Sequence, residues 1–377
     1  MDFNLTEERA MLRDMLQRFL GERYDHDARR KLIASGAAYD TDILTELAKL
    51  GILGAMFSED DGGFGGTGFD LLVVFEELGR AGTIEPVVGS AVLAGGLLAE
   101  LGNASQKALI DEVIGGATVL ALAHGEPQSR YDLSHVHTTA QADGGQIVLN
   151  GTKTHVINGA QAETLVVSAR ENGTKDDEVG ISLFLVPLAF EGVTCIDHRN
   201  VDDTSGARIV FDNVRLAESD RLGKAGNAFV ALETATARAT LAVCAEAVGA
   251  MEAAKALTVQ YLKERKQFGV PIGKFQALQH RMVDVLIEIE QARSAVVNLA
   301  GNLEAERNIR ERHVSATKNL IGRVGALVAE ESIQMHGGIG MTDEYALSHL
   351  ARRLTMIDHL FGDVDHHLER FIALSAA

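Results

Sequence analysis

The distribution of proline is the feature that most limits how this chain can fold. Its four prolines are Pro86, Pro127, Pro187 and Pro271, and none follows in the rest of the 377 residues. Proline breaks a helix because its ring fixes φ and removes a backbone donor. The long stretch after Pro271 can therefore be continuous helix, and we expect a helical block there.

Apolar residues in that block recur at a helical spacing of alternately four and three positions. This spacing keeps them on one side of a helix that packs nearly parallel to its neighbours, as in a bundle. It predicts a bundle helix whose buried side carries Leu278, Met282, Val285, Ile289, Ala292, Val296 and Leu299.

The start of the chain also has a helical pattern. Thr6 is placed to cap a first turn in which Glu7 and Glu8 favour the helix dipole. A glycine-rich segment at 62–66, Gly-Gly-Phe-Gly-Gly, is predicted to be a loop before the next apolar run. The predicted apolar side of the first helix consists of Leu5, Met11, Leu12, Met15, Leu16, Phe19 and Leu20.

The middle of the chain has a different period. Between about His137 and Val214 apolar and polar residues alternate, which is typical of strands. The Asn150-Gly151 pair predicts a two-residue hairpin turn. The order is helices, a β domain and a longer helical bundle, without the strand–helix alternation of a parallel nucleotide-binding sheet. The strand candidates are Gln146–Leu149, Thr164–Val167, Ile181–Leu185 and Ala207–Phe211.

Composition narrows the range of partners. The chain has 35 Lys and Arg against 53 Asp and Glu, so its net charge of −18 would repel a nucleic acid. The two cysteines, Cys195 and Cys244, have no metal-ligand spacing, and we expect them to be buried thiols of a reducing compartment. There is no signal-peptide pattern and no apolar run long enough to span a bilayer, so we expect a cytoplasmic protein.

Two separated segments carry a recognisable signature. Residues 261–280 read Tyr-Leu-Lys-Glu-Arg-Lys-Gln-Phe-Gly-Val-Pro-Ile-Gly-Lys-Phe-Gln-Ala-Leu-Gln-His, and residues 334–340 read Gln-Met-His-Gly-Gly-Ile-Gly. Together they resemble the paired signatures of the acyl-CoA dehydrogenase family, and similar pieces follow the family's order along the whole chain. The resemblance implies a mainly α fold with an N-terminal helical domain at 1–118, a central β-barrel-like domain at 119–225 and a C-terminal four-helix bundle at 226–377.

The signatures also imply bound flavin adenine dinucleotide (FAD). The planar guanidinium of Arg265 suits a pyrophosphate, glutamine amides can donate or accept, and glycines let the backbone approach a cofactor closely. In the family such positions usually reach the FAD of a neighbouring subunit. The implied cofactor-binding residues are Arg265, Gln267, Phe268, Gln276, Gln334, Gly337 and Gly338.

The resemblance implies α,β-desaturation of an acyl-CoA thioester, which needs a carboxylate to take the α proton. The family's base usually precedes a glycine about eighteen residues after the Glu-Tyr at 344–345, and here that glycine is Gly362. Phe361 then stands at the base position, and a phenyl ring cannot take a proton. Asp363 remains as the catalytic candidate: it either only caps the last helix or caps it and also acts as the base.

The family's alternative base lies at the start of the first bundle helix. There residues 236–240 read Thr-Ala-Arg-Ala-Thr and contain no carboxylate. Glu233 and Glu246 are the nearest acids, and we expect them to be capping or surface charges. Arg238, in the same segment, is expected to bind the substrate.

The central domain departs from the family too. The usual Thr-Glu-Pro becomes Gly-Glu-Pro at 125–127, and the usual Trp-Ile-Thr-Asn becomes His-Val-Ile-Asn at 155–158. A hydroxyl donor to the flavin is therefore missing at Gly125 and at Ile157. With Phe361, these losses make the chain similar to the small subunits of heteromeric acyl-CoA dehydrogenases, such as the pimeloyl-CoA dehydrogenase small subunit and the steroid side-chain enzymes, in which a partner supplies the complete site.

The expected partners are acyl-CoA, electron-transfer flavoprotein as acceptor, and either a large-subunit paralogue or a second copy of this chain. Two alternatives are a self-sufficient dehydrogenase with Asp363 as base and a non-catalytic stabilising subunit. A metal enzyme is the third, but we expect no metal, because catalytic sites usually draw ligands from separate elements. Its ligand-rich cluster would be Asp358, His359, Asp363, Asp365, His366 and His367.

Overall fold

The computed structural model describes residues 5–376, which form eleven α-helices and ten β-strands. The class expected from the sequence, mainly α with a central β domain, is confirmed. The helices α1 to α11 are Glu7–Arg23, His26–Ala34, Thr41–Lys49, Gly68–Ala81, Gly95–Leu101, Ala104–Ile114, Phe229–Glu264, Gln276–Asn302, Arg307–His336, Ala346–His359 and Val364–Ala376. The strands β1 to β10 are Leu120–Ala123, Thr139–Asp143, Gln146–Ile157, Thr164–Arg170, Ile181–Pro187, Val193–Arg199, Ser205–Leu216, Arg221–Leu222, Lys266–Gln267 and Val270–Pro271.

The chain divides into two compact units. The helical unit consists of the described residues up to Lys31, of Thr67–Thr83, and of the chain from Thr240 onward. The sheet unit consists of Leu32–Gly66 and Ile84–Ala239. The finer division at 1–118, 119–225 and 226–377 stays a prediction.

An eight-stranded sheet forms the centre of the sheet unit. Its strand order is β6-β7-β3-β2-β4-β5-β8, and β1 pairs with β4. Most pairs are antiparallel, and β1 runs parallel to β4. All four strand candidates lie within β3, β4, β5 and β7, which confirms them. Their alternating side chains give a buried core that includes Leu149, Leu165, Val167, Phe184, Ile209 and Phe211.

The predicted hairpin at Asn150-Gly151 is wrong, because both residues lie inside β3. The turn between β2 and β3 is Gly144-Gly145 instead, and its φ angles of 59° and 85° suit a type I′ turn. Asn150 Oδ1 accepts a hydrogen bond from the Asn213 backbone N–H at 2.8 Å. A Cβ on Gly151 would lie 2.4 Å from Thr138 Oγ1, so close packing explains this glycine.

The long helices of the helical unit confirm the predicted bundle. Val285, Ile289, Ala292, Val296 and Leu299 are buried along α8, as the spacing predicted, while the first two residues of that series are half-buried. The helix α9 packs against α8, α10 and α11.

The first helix confirms its cap but not its whole apolar side. Thr6 Oγ1 accepts from the Arg9 N–H at 3.3 Å. Leu16 and Leu20 are buried, whereas Met11 is 67% exposed. Arg9 donates to Asp70 of α4 at 2.8 Å, and at about 100° per residue Met11 lies on the opposite side of α1 from Arg9. The prediction for Met11 is therefore wrong.

The two cysteines differ in burial. Cys244 is buried in α7, where burial raises the pKa of its thiol to about 12. Cys195 is only half-buried because β6 is an edge strand, which corrects the expectation for this thiol, and partial burial raises its pKa as well. Between residues 5 and 376, no helix combines the length and apolar character needed to cross a membrane.

Candidate functional site

The first signature forms a small hairpin in the helical unit. β9 and β10 pair antiparallel, and the two residues between them, Phe268 and Gly269, have φ of 53° and 81°. Both values lie in the left-handed region, as a type I′ turn requires, and phenylalanine is seldom found there. The Phe268 side chain is 91% exposed. A strained residue whose ring faces outward at a hairpin tip is typical of a functional contact.

Ring contacts bring the second signature next to the first. The Tyr261 ring stacks on the His336 ring with 4.5 Å between centroids, and the Tyr345 hydroxyl lies 3.3 Å from His336 Nε2. His336 Nδ1 lies 2.8 Å from the Ser332 carbonyl oxygen, so Nδ1 donates and Nε2 accepts. Burial lowers the pKa of His336, which keeps the imidazole neutral. The ends of α7 and α9, which carry the two signatures, therefore meet at one end of the helical unit.

Four polar side chains of the signatures face solvent. Within residues 5–376, the side chains of these four residues form no hydrogen bond and no ion pair. A guanidinium group and several amides without internal partners fit a cofactor that carries a pyrophosphate and a heteroaromatic ring. The exposed polar residues are Arg265, Gln267, Gln276 and Gln334.

Gly337 and Gly338 border open space. A Cβ built on either glycine would meet nothing within 4 Å, so packing within the chain does not require glycine there. Gly337 ends α9 with φ of 68° and ψ of −148°, a conformation that favours glycine. The open backbone at this end agrees with the expected approach of a cofactor.

Phe361, which the resemblance places at the base position, lies in a tightly held turn between α10 and α11. Phe361 has φ of 58° and Gly362 has φ of 115°. The Phe361 carbonyl oxygen accepts from His367 Nε2 at 2.9 Å, and the Gly362 carbonyl oxygen accepts from Lys318 Nζ at 2.6 Å. The Phe361 side chain has no proton acceptor. The backbone at this position is nevertheless held in one conformation by these two hydrogen bonds.

Asp363 caps α11, as both alternatives from the sequence predicted. Its Oδ1 accepts from the His366 N–H at 2.9 Å. A catalytic role for Asp363 stays a prediction. Among residues 5–376, no group of three or more His, Cys, Asp or Glu side chains is arranged to hold a metal ion.

Glu246 and Glu233 are buried, which corrects the expectation of capping or surface charges. Glu246 is 5% exposed, and its two carboxylate oxygens accept from Arg353 at 2.6 and 2.8 Å. Arg353 comes from α10, so the pairing depends on a tertiary contact that the spacing around α7 does not reveal. Glu233 is also buried.

The sheet unit contains a buried ion pair that the sequence analysis missed. Lys153 of β3 is fully buried, and its Nζ donates to Glu126 at 2.8 Å, to Ser168 Oγ at 2.9 Å and to the His124 carbonyl oxygen at 3.0 Å. Burial lowers the pKa of Lys153 to about 8. The only signal in the sequence is a lysine at a core position of an apolar strand.

The Glu126 carboxylate also binds backbone groups further along the chain. It accepts from the backbone N–H groups of His137 at 2.8 Å and Thr138 at 2.9 Å. Burial alone would raise the pKa of Glu126, but Lys153 and Thr138 lower it. Gly125 is tied to β3 because its carbonyl oxygen accepts from the Thr154 N–H at 2.7 Å. The ion pair therefore fixes the segment in which the family's hydroxyl is missing.

The second missing hydroxyl lies at the end of β3. Ile157 is half-buried there, and a Cβ on Gly89 would come within 3.2 Å of its Cγ2 atom. His155 is exposed at φ of 51° beside a register shift in β3, and Asn158 has φ of 53°. An aliphatic side chain thus fills the position of the expected donor.

Arg238 holds the glycine-rich loop. Its Nη1 donates to the Gly66 carbonyl oxygen at 2.7 Å and its Nη2 lies 3.2 Å from the Met56 carbonyl oxygen. The loop prediction for residues 62–66 is confirmed, and a Cβ on Gly63 would lie 2.4 Å from two backbone oxygens. Substrate binding by Arg238 stays a prediction.

Comparison with known proteins fits this arrangement. Residues 6–111, 121–214 and 229–372 match the N-terminal, middle and C-terminal domains of acyl-CoA dehydrogenase. The chain is 30% identical over 365 residues to the short-chain specific acyl-CoA dehydrogenase of Megasphaera elsdenii, which covers 92% of each chain. The chain belongs to the acyl-CoA dehydrogenase family. As a member of the acyl-CoA dehydrogenase family it is an FAD-dependent oxidoreductase, and the fold expected from the resemblance is confirmed.

Two solved structures give the same result. A chain of the Tcur3481-Tcur3483 steroid ACAD superposes with a TM-score of 0.88 at 29% identity over 98% of each chain. A chain in a structure titled for the electron transferring flavoprotein of Acidaminococcus fermentans superposes with a TM-score of 0.91 at 28% identity, covering 99% of this chain and 98% of the other.

Proposed function

We propose that this chain is the small subunit of a heteromeric acyl-CoA dehydrogenase and that a large-subunit paralogue supplies the base for α,β-desaturation. The observation that carries the proposal is Phe361, a hydrocarbon side chain at the base position of an otherwise well-held turn. Desaturation needs a carboxylate within reach of the substrate's α proton. A subunit with this turn needs that carboxylate from another chain.

The other candidate acids, Asp363 and Glu246, form hydrogen bonds elsewhere. Asp363 uses one carboxylate oxygen to cap α11. Glu246 is buried and gives both oxygens to Arg353. Freeing Glu246 to act as a base would break its two short hydrogen bonds to Arg353 and leave the carboxylate buried without them, which is costly. These engagements favour a partner's base over a second base within this chain.

The signature residues support flavin binding. FAD, when bound, supplies the acceptor for the hydride that leaves the substrate's β carbon. Arg265 would neutralise the pyrophosphate with its forked donors, and the amides of Gln267 and Gln334 would orient the cofactor. Phe268 would contribute an apolar ring at the tip of its hairpin. Each of these groups faces outward, as a cofactor shared with another subunit requires.

An apolar stripe on α8 supports an oligomer. Val283, Leu286 and Ile287 lie three and four positions apart, and each is 42–50% exposed. This stripe is distinct from the buried side of the same helix, which begins at Val285. Exposed apolar stripes of this kind mark contacts with another chain. The paralogue is the proposed occupant, and the similar Tcur3481-Tcur3483 protein is named as a pair of components.

Electron-transfer flavoprotein is the proposed acceptor of electrons. One similar chain comes from a structure whose title names such a flavoprotein. An assay that replaces the artificial electron acceptor by electron-transfer flavoprotein should retain turnover in the assembled enzyme.

The test is an activity comparison between the purified chain and its complex with the paralogue, using a panel of acyl-CoA thioesters and an artificial electron acceptor. A positioned base contributes about 10²–10⁴-fold, so the complex should exceed the isolated chain by a factor in this range. Fast turnover by the isolated chain would overturn the proposal, and its loss in Asp363→Asn would identify Asp363 as the base. If this chain carries no flavin in the complex and turnover is unchanged, the result would favour the alternative that the chain is a non-catalytic stabilising subunit.

A further inference from the structure

Lysine 318 is buried on α9 without a carboxylate bonded to it. Its side chain is fully buried, and Nζ donates to the carbonyl oxygens of Asp358 at 2.9 Å and Gly362 at 2.6 Å. Burial lowers its pKa. Burying an ammonium ion is costly, and the nearby carboxylates of Asp358 and Asp363, to which Lys318 does not bond, offset only part of the effect of burial on its pKa. The two hydrogen bonds of Lys318 attach the turn between α10 and α11 to α9.

Two further side chains hold the same turn. His367 is 2% exposed, and its Nε2 lies 2.9 Å from the Phe361 carbonyl oxygen. Asn319 Nδ2 donates to the Val364 carbonyl oxygen at 2.9 Å. With Lys318, these groups satisfy four carbonyl oxygens between residues 358 and 364. The carbonyl groups of residues 358, 361 and 362 lie in the last turn of α10 or after it and lack helical partners, so their bonds fix backbone that would otherwise be free to move. The bond to Val364 attaches the first turn of α11 to α9.

The conformation of the turn depends on this hold. Phe361 has φ of 58°, which a non-glycine residue adopts only when its surroundings impose it. A Cβ on Gly362 would lie 2.5 Å from His367 Nε2, so the imidazole packs directly against the turn. Burial and the nearby Lys318 charge lower the pKa of His367 to about 3. Of the two neutral tautomers, the one with a proton on Nε2 donates to the Phe361 carbonyl oxygen.

The geometry points to Lys318, His367 and Asn319 as a carbonyl clamp that fixes the backbone at residue 361 and so determines where its side chain meets the acyl-CoA. These are positioning residues, since they act through the turn and do not touch substrate. The inference rests on the proposed function in one respect, the placement of residue 361 beside the acyl group. The clamp itself rests on the contacts within the helical unit.

The experiment uses the flavin-loaded chain with Phe361→Glu, in which residue 361 carries a carboxylate, and adds Lys318→Met. Arg323→Met, which removes an exposed cation from the same helix, is the matched control. We expect Lys318→Met to lower kcat per bound flavin at least tenfold while KM for acyl-CoA stays within twofold. We also expect faster amide exchange at residues 361–363 and a higher pKa for His367 by NMR. The control should change none of these quantities.

Two results would overturn the clamp. One is unchanged amide exchange at 361–363 in Lys318→Met, and the other is faster exchange without any loss of kcat. If Phe361→Glu alone gives no turnover, the proposed placement of residue 361 has failed, and the exchange comparison decides the clamp by itself. If Lys318→Met does not fold, Asn319→Ala, at the half-buried edge of the clamp, should show the same changes at smaller size, and their absence would reject it.

Discussion

The signature end and the base-position turn belong to the same helical unit but use their polar groups in opposite ways. Arg265 and Gln334 face solvent, and their side chains have no partner among residues 5–376. At the turn, Lys318 and His367 are buried and donate hydrogen bonds to backbone carbonyl oxygens. The first region offers chemical groups to something outside the chain, whereas the second offers only a fixed backbone. A sequence motif alone therefore does not show which polar side chains are available to a cofactor or a substrate.

The largest expected effect concerns the buried polar groups of the helical unit. Arg353→Met should lower the free energy of unfolding by about 3–5 kcal/mol, because it leaves the Glu246 carboxylate buried without its bidentate partner. Denaturant unfolding followed by circular dichroism measures the change. The double variant Glu246→Met with Arg353→Met should recover most of the loss. A loss below about 1 kcal/mol in the single variant would show that Glu246 does not depend on this partner.

The next effect concerns the exposed residues of the signatures. Arg265→Ala should weaken FAD retention in the assembled oligomer by about 1.5–3 kcal/mol, because the pyrophosphate loses a charged pair of donors. The free energy of unfolding of the flavin-free chain should change by no more than about 0.5 kcal/mol, since Arg265 is exposed. The flavin-to-protein ratio after gel filtration is the measurement. Lys263→Ala, an exposed cation two residues earlier, is the control, and an unchanged ratio in Arg265→Ala would reject the role.

A smaller effect tests the buried histidine through pH. The pKa of His367 is about 3 in the folded chain, against about 6.5 when unfolded, so the unfolded chain binds a proton first as pH falls. Its contribution to stability is therefore complete above about pH 6.5 and is lost progressively below it. The loss from this group should be about 2 kcal/mol between pH 8 and pH 5. His367→Gln should have a correspondingly flatter stability profile, and parallel profiles would contradict the assignment.

Sequence patterns predicted what depends on local spacing. The α8 seam from Val285 to Leu299 and the four strand candidates followed from periodicity. Asn150-Gly151 misled, because a close approach to Thr138 rather than a turn requires that glycine. The resemblance singled out Arg265, Gln267, Gln276 and Gln334, and their side chains have no partner among residues 5–376.

The buried polar groups could not be predicted in the same way. Lys153 meets Glu126 across 27 positions, and Glu246 meets Arg353 across 107. Such pairs form by tertiary packing and leave no spacing rule in the sequence. One weak signal existed for Lys318, which stands between Val314 and Ile321 at the four-and-three spacing of a buried helix side. A lysine on that side indicates a buried charge but not the carbonyl groups it binds.

The most direct test of the central claim compares Phe361→Glu with Phe361→Gln in the purified, flavin-loaded chain. Both variants have nearly the same shape, and only the first provides a proton acceptor at the base position. With an artificial electron acceptor and a panel of acyl-CoA thioesters, the account predicts that Phe361→Glu gains turnover over Phe361→Gln at least tenfold, toward the roughly 10²–10⁴-fold of a positioned base. Equal turnover of the two variants, or fast turnover by the unaltered chain, would contradict the claim that this turn lacks only its carboxylate.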